Sequence, residues 1–158
     1  MSLPDKQKVI NQIYYSHSKQ ILDFVQETEE IEFISSLYPS SNIINPVSEI
    51  EWKGSMTPYF EAIEKSDLFI CSMFKDHCGK GVFTETNYAL ENKIPCFIIF
   101  ESNLGCYDLY KVTDVEFVNP DEWSTYYGVI RFEFSRLNEE TQEEEIINTK
   151  DWKELLKK

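Results

Sequence analysis

Short apolar runs alternate with polar stretches of helical period over the first two thirds of the chain. Lys8 to Ser16 carries Val9, Ile10, Ile13, Tyr14 and Tyr15 and reads as a first strand. Ser18 then caps a helix in which Ile21, Phe24, Val25, Thr28, Ile31, Ile34 and Leu37 keep helical spacing. Tyr38-Pro39-Ser40-Ser41 ends it. Asn42 to Pro46 is a short second strand, and Val47 to Gly54 is a loop placed to lie over a pocket. Ser55 opens a second helix with Met56, Tyr59, Phe60 and Ile63 on one face. Leu68 to Met73 is continuously apolar, as a strand is when helices cover both faces of a parallel sheet. A helix from Val82 to Asn92, a strand from Ile94 to Phe100 and a fifth strand from Val112 to Val118 follow.

This alternation predicts an α/β fold, a Rossmann-like or flavodoxin-like three-layer sandwich around a parallel sheet of about five strands. The pattern weakens beyond Pro120. Asp121 is placed to cap a helix running toward Phe134, the acidic run Glu139 to Glu145 reads as a solvated helix face or linker, and Asp151 to Lys158 reads as a terminal helix. The expectation is one domain over residues 1–158, with its core at about 8–118 and residues 119–158 packed on that core or on an oligomer partner.

Composition narrows the classes of function. The 158 residues are 42% hydrophobic and 15% aromatic, a globular balance and not a disordered one. The charge of −13 argues against a nucleic-acid polymer or an anionic membrane as partner, since both require a basic face. A mononucleotide stays open, because local N–H groups can hold its phosphate. Lys75, His77 and Lys80 gather positive charge in this acidic chain, near Gly79 and Gly81. An exposed polar loop accounts for them equally well. Cys71, Cys78, Cys96 and Cys106 form no CxxC pair, so no metal site is expected, and no cofactor. The apolar runs are far shorter than a bilayer span of roughly 20 residues, and no signal peptide is legible; a cytoplasmic protein is the simplest expectation.

The candidate chemistry collects where strands end. Leu68 to Ser72, then Gly79-Lys80-Gly81, then a helix is a strand–loop–helix junction of the kind that binds ligands in open α/β sheets. Glu85 lies near the start of that helix, either as a solvated acid favoured by the helix dipole or as a reactive carboxylate beside an anion-holding loop. Tyr14, Ser16, His17 and Ser18 end the first strand and point to the same crevice; Ser18 serves equally well as a helix cap. Asp76, in the loop after the third strand, is better placed for chemistry than Asp67, which reads as a helix terminator. Asn45, after the second strand, reaches a ribose or serves as a turn residue.

Several of these residues fall into a known order. Tyr14, Asn45-Pro46, the Tyr59–Ser66 helix, Ser66-Asp67-Leu68-Phe69-Ile70, Gly81-Val82-Phe83-Thr84-Glu85-Thr86-Asn87-Tyr88-Ala89-Leu90 and Lys93-Ile94-Pro95-Cys96 together resemble the nucleoside 2-deoxyribosyltransferases and their nucleotide N-glycosidase relatives. The likeness covers Val9 to Phe100. It implies cleavage of the N-glycosidic bond of a (deoxy)nucleoside or its 5′-phosphate, with Glu85 as nucleophile at C1′. It also implies assembly as a homodimer or larger, and the aromatic segment Trp123 to Phe134 would suit an interface or a core. Transferases of the family carry an Asp six residues before the Glu; here Gly79 stands there and Asp76 three residues earlier. The turn Ser16-His17-Ser18 is also similar to that of TIR-type NAD-cleaving domains.

The expected function is therefore an enzyme acting on a small nucleoside or nucleotide. Glu85, Tyr14 and Asp76 would do the chemistry, and Ser16, His17, Ser18, Asn45, Gly79, Lys80 and Gly81 would bind substrate. A TIR-like NAD glycohydrolase and a nucleotide-binding module without catalysis are the alternatives, the second favoured by the missing Asp.

Overall fold

Alternating side chains along one central strand divide the molecule into two apolar layers. A computed structural model describes residues 9–17, 25–72, 78–103, 106–118, 127–137 and 144–148. In strand β1 (Gln12–Ser16), Ile13 and Tyr15 face one layer and Tyr14 the other. Strand β3 (Leu68–Cys71) and strand β5 (Cys96–Asn103) repeat the division. Leu68, Ile70, Phe97 and Ile99 join Ile13 and Tyr15; Phe69, Cys71, Cys96, Ile98 and Phe100 join Tyr14. Helix α1 (Val25–Leu37) covers the first layer through Ile34. Helices α3 (Thr57–Glu64) and α4 (Lys80–Glu91) cover the second through Ile63, Val82 and Ala89. This is the three-layer Rossmann/flavodoxin-like sandwich that the sequence predicts.

Strand β2 (Asn42–Ile44), β1, β3 and β5 lie in that order and are parallel. The chain leaves β1 toward β2 on one side and returns to pair β3 on the other. The carboxyl ends of β1 and β3 are therefore the point where connections diverge and a crevice opens. In the β1–β3 register, Tyr14 lies opposite Phe69 and their rings stack at 5.5 Å; Ser16 lies opposite Cys71.

The fifth strand, β6 (Cys106–Val118), starts earlier than its apolar run predicts and is antiparallel. It pairs β5 up to Lys111. From Lys111 onward it pairs β7 (Tyr127–Leu137), with an irregularity between Val112 and Asp114. The sheet is therefore mixed, with four parallel strands continued by antiparallel ones. The helix predicted from Asp121 toward Phe134 is corrected: β7 occupies residues 127–137. Ile130, Phe132 and Phe134 alternate with Arg131, Glu133 and Ser135, the period of a strand. Strand β8 (Glu144–Asn148) pairs β7, so the acidic run ends in a strand and not a helix. Strand β4 (Cys78–Gly79), immediately before α4, also pairs β7. The helix predicted for Asp151 to Lys158 lies outside the described residues.

Local sequence sets the element ends. Pro58 in the first turn of α3 gives up no helical N–H, and Ser55 Oγ accepts from Thr57 N. The ring of Phe60 stacks on Tyr88 at 4.0 Å and joins α3 to α4. Helix α4 stops in a double turn: Ile94 N donates to Ala89 O, Lys93 N donates to Leu90 O, and Lys93 takes φ 60°. That left-handed position usually belongs to glycine. Within the predicted loop after β2, Pro46–Glu49 forms a single helical turn, α2, and Gly54 takes φ +84°, which a side chain would oppose. Asp67 Oδ2 accepts from the backbone N–H groups of Asn11 and Gln12, so its role is to fix the start of β1.

Candidate functional site

Two buried glutamates flank the carboxyl end of β1, one on each face of the sheet. Glu85 projects from α4 on the α3/α4 side and is 6% exposed. Its Oε2 accepts from the Tyr14 hydroxyl and its Oε1 accepts from Ser16 Oγ at 3.0 Å. Both donors come from β1, two residues apart and hence on one face. Burial pushes the Glu85 carboxyl up to about 8, because an anion there has lost its water. The hydroxyls of Tyr14 and Ser16 are the donors given to both oxygens in place of solvent. The solvated alternative for Glu85 is thereby excluded.

Glu30, on α1, has the same kind of partners on the opposite face. Tyr15, next in sequence to Tyr14, donates its hydroxyl to Glu30 Oε1, and Ser72 Oγ donates to Oε2 at 2.8 Å. Gln26 Nε2 donates to Oε2 at 3.4 Å. Burial raises the Glu30 carboxyl to about 7, while the three donors pull the other way. The Tyr15 hydroxyl is pushed above its ordinary range, first by burial and then by Glu30. Glu85 and Glu30 thus each have one tyrosine and one serine. The two serines are also joined, since Ser72 N donates to Ser16 O at 2.9 Å across the β1–β3 bridge.

A third group lies beside the Tyr15 ring. His17 is 4% exposed and tilts against the Tyr15 ring. Its Nε2 is 2.8 Å from Asn45 Oδ1, an acceptor, which places a proton on Nε2. The same nitrogen is 3.4 Å from Glu27 Oε2, and Asn45 Nδ2 donates to that oxygen. This triangle ties the ends of β1 and β2 to α1.

Of the residues singled out from sequence, Tyr14, Ser16 and Glu85 come together, and His17 and Asn45 come together in a different group. Gly79 closes β4, Lys80 begins α4 and Gly81 lies in its first turn. A Cβ at Gly81 meets nothing within 4 Å, so neither its backbone nor its packing demands glycine. Ser18 and Asp76 lie outside the described residues.

Glu27, Glu30, Tyr15, Ser72 and Gln26 are absent from the sequence-based set. The apolar spacing draws attention to Val25 and Leu37, which are exposed, whereas the buried positions of α1 are Glu27, Glu30 and Ile34. The available signal was two acids three apart, in line with Ile34 on one helical face. Among the described residues, no group of three or more His, Cys, Asp or Glu is placed to hold a metal ion, and no helix is long and apolar enough to cross a membrane. Comparison of the chain with protein-family models, with curated proteins and with solved structures finds no significant match.

Proposed function

We propose that this protein cleaves or transfers the N-glycosidic bond of a small (deoxy)nucleoside or nucleoside 5′-monophosphate, with Glu85 as nucleophile. The observation that carries the reading is the seating of Glu85. It is a buried carboxylate with a hydroxyl donor on each oxygen, at the carboxyl ends of the strands where the sheet's connections diverge. A desolvated and aimed carboxylate suits attack on an anomeric carbon better than it suits structural stability, which an apolar residue would serve without the cost of burying charge.

In the first step a Glu85 oxygen bonds to C1′ as the C1′–N bond breaks, and the base departs with that electron pair and takes up a proton. In the second, water or another base bonds to C1′ and gives up a proton to solvent, replacing the one the departing base took up, as the carboxylate leaves and Glu85 is restored. Tyr14 and Ser16 hold the carboxylate in one orientation throughout, and their hydroxyls steady the returning negative charge. Only the ionised carboxylate attacks. The rate for free enzyme therefore climbs with pH until Glu85 has ionised, with a midpoint of about 8.

The test is chromatographic detection of free base after incubation with deoxynucleosides, nucleoside monophosphates and NAD, with Glu85→Ala alongside. Release of base that the substitution abolishes supports the proposal. Bound nucleotide without release from any of them refutes catalysis, and release from NAD alone transfers the reading to the NAD glycohydrolase.

A further inference from the structure

The Ser16–Ser72 link joins Glu30 and Glu85 into one hydrogen-bonded path. Glu30 Oε2 accepts from Ser72 Oγ, Ser72 N donates to Ser16 O, and Ser16 Oγ donates to Glu85 Oε1. A parallel path runs through consecutive residues of β1, since Tyr15 donates to Glu30 and Tyr14 to Glu85. The last three residues of β1 are thus gripped by carboxyl groups from both sides. The Ser16 carbonyl accepts from Ser72 N, and the Ser72 side chain is held by Glu30 Oε2 and Gln26 Nε2.

We propose that Glu30 is a positioning residue for the Glu85 site, setting the placement of the Ser16 hydroxyl through Ser72. The role rests on the reading of Glu85 as the reactive carboxylate. Glu30 does not touch the substrate side: it lies on the α1 face, while Glu85 lies on the α4 face. The groups around Glu30 are Tyr15, Gln26 and Ser72, with the charge of Glu101 on β5 also acting on it; those on Glu85 are Tyr14 and Ser16.

The physical content is a sign. Ser16 Oγ donates to the ionised form of Glu85 and so favours ionisation. When Ser16 is misplaced, Glu85 becomes a weaker acid. A second buried carboxylate acting only through space does the opposite, so its removal makes Glu85 a stronger acid.

The experiment is a pH titration of Glu85 by carbon-13 NMR of glutamate-labelled full-length protein, with Glu85→Gln identifying its resonance. It needs no substrate and stands apart from the base-release assay. In Glu30→Gln, one acceptor oxygen replaces two, and Tyr15 and Ser72 compete for it. The expected result is a Glu85 midpoint raised by about half a pH unit or more, an acid constant lowered about threefold. Ser72→Ala, which keeps the Glu30 charge and removes the link, moves the midpoint the same way and decides the matter if Glu30→Gln does not fold. If the enzyme reading holds, both variants lower kcat and leave KM unchanged. A midpoint that falls or stays fixed overturns the proposal.

Discussion

Replacing Glu85 by Gln should make the protein more stable at alkaline pH, relative to the parent. The carboxyl rises from an ordinary value of 4.5 to about 8 on folding because it is buried. Between those values the native state binds more protons than the unfolded state, so stability is greatest in acid and falls as pH rises toward and through about 8. Integrated from about pH 5 to about pH 9, the ionisation of Glu85 removes roughly 4 kcal/mol. Glu30, raised to about 7, removes roughly another 2–3 kcal/mol over the same range and with the same sign. In Glu85→Gln only the Glu30 share remains, because the amide does not ionise. Urea denaturation of parent and variant at intervals across that range measures both slopes. The curves should converge toward acid and separate toward alkali, with the variant losing several kcal/mol less. Parallel curves would refute the buried, largely protonated Glu85 from which this reasoning starts.

Two further outcomes test the neighbourhood of α4. Lys93 occupies a left-handed position that glycine fills without steric cost, so Lys93→Gly should raise stability by about 0.5–1 kcal/mol, read as a higher thermal midpoint. Gly81→Ala should also stabilise, by about 0.5–1 kcal/mol, since the methyl group meets open space in a helical turn. Its effect on nucleotide affinity in the same thermal-shift assay shows whether a ligand approaches that backbone: unchanged affinity places the ligand elsewhere.

The parallel half of the fold was legible because its strands are buried on both faces. Leu68 to Cys71 and Cys96 to Phe100 are runs with no polar interruption, which only a covered sheet requires. Glu85, Tyr14 and Ser16 were legible because a strand end and a helix start in an α/β unit must meet at one edge of the sheet. The Glu30 group was not. Its members are scattered over α1, β1 and the end of β3, and α1 buries acids where its apolar spacing suggests Val25. Burial of Glu30 depends on Tyr15 and Ser72 being on hand, a tertiary fact that helical periodicity does not encode. The antiparallel return of β6 was also hidden, since a strand's apolar pattern is the same in either direction. Beyond it, the alternation of Ile130, Phe132 and Phe134 was present but masked by the capping signal at Asp121.

The position of β1 has a consequence for the chain during its synthesis. Its partners arrive late: Ser16 and Glu85 are 69 residues apart, Tyr14 and Glu85 are 71 apart. A nascent chain emerges amino end first, so Ile13, Tyr14 and Tyr15 leave the ribosome well before β3 can flank them or α4 can cover them. Until β3 emerges, β1, which the finished protein buries almost completely, has an open apolar edge on its β3 side. A chain arrested short of α4 therefore carries an open strand and a sheet face without its cover. The arrival of α4 that covers this face also brings Glu85 to its two hydroxyls, so the site is completed as the face is closed.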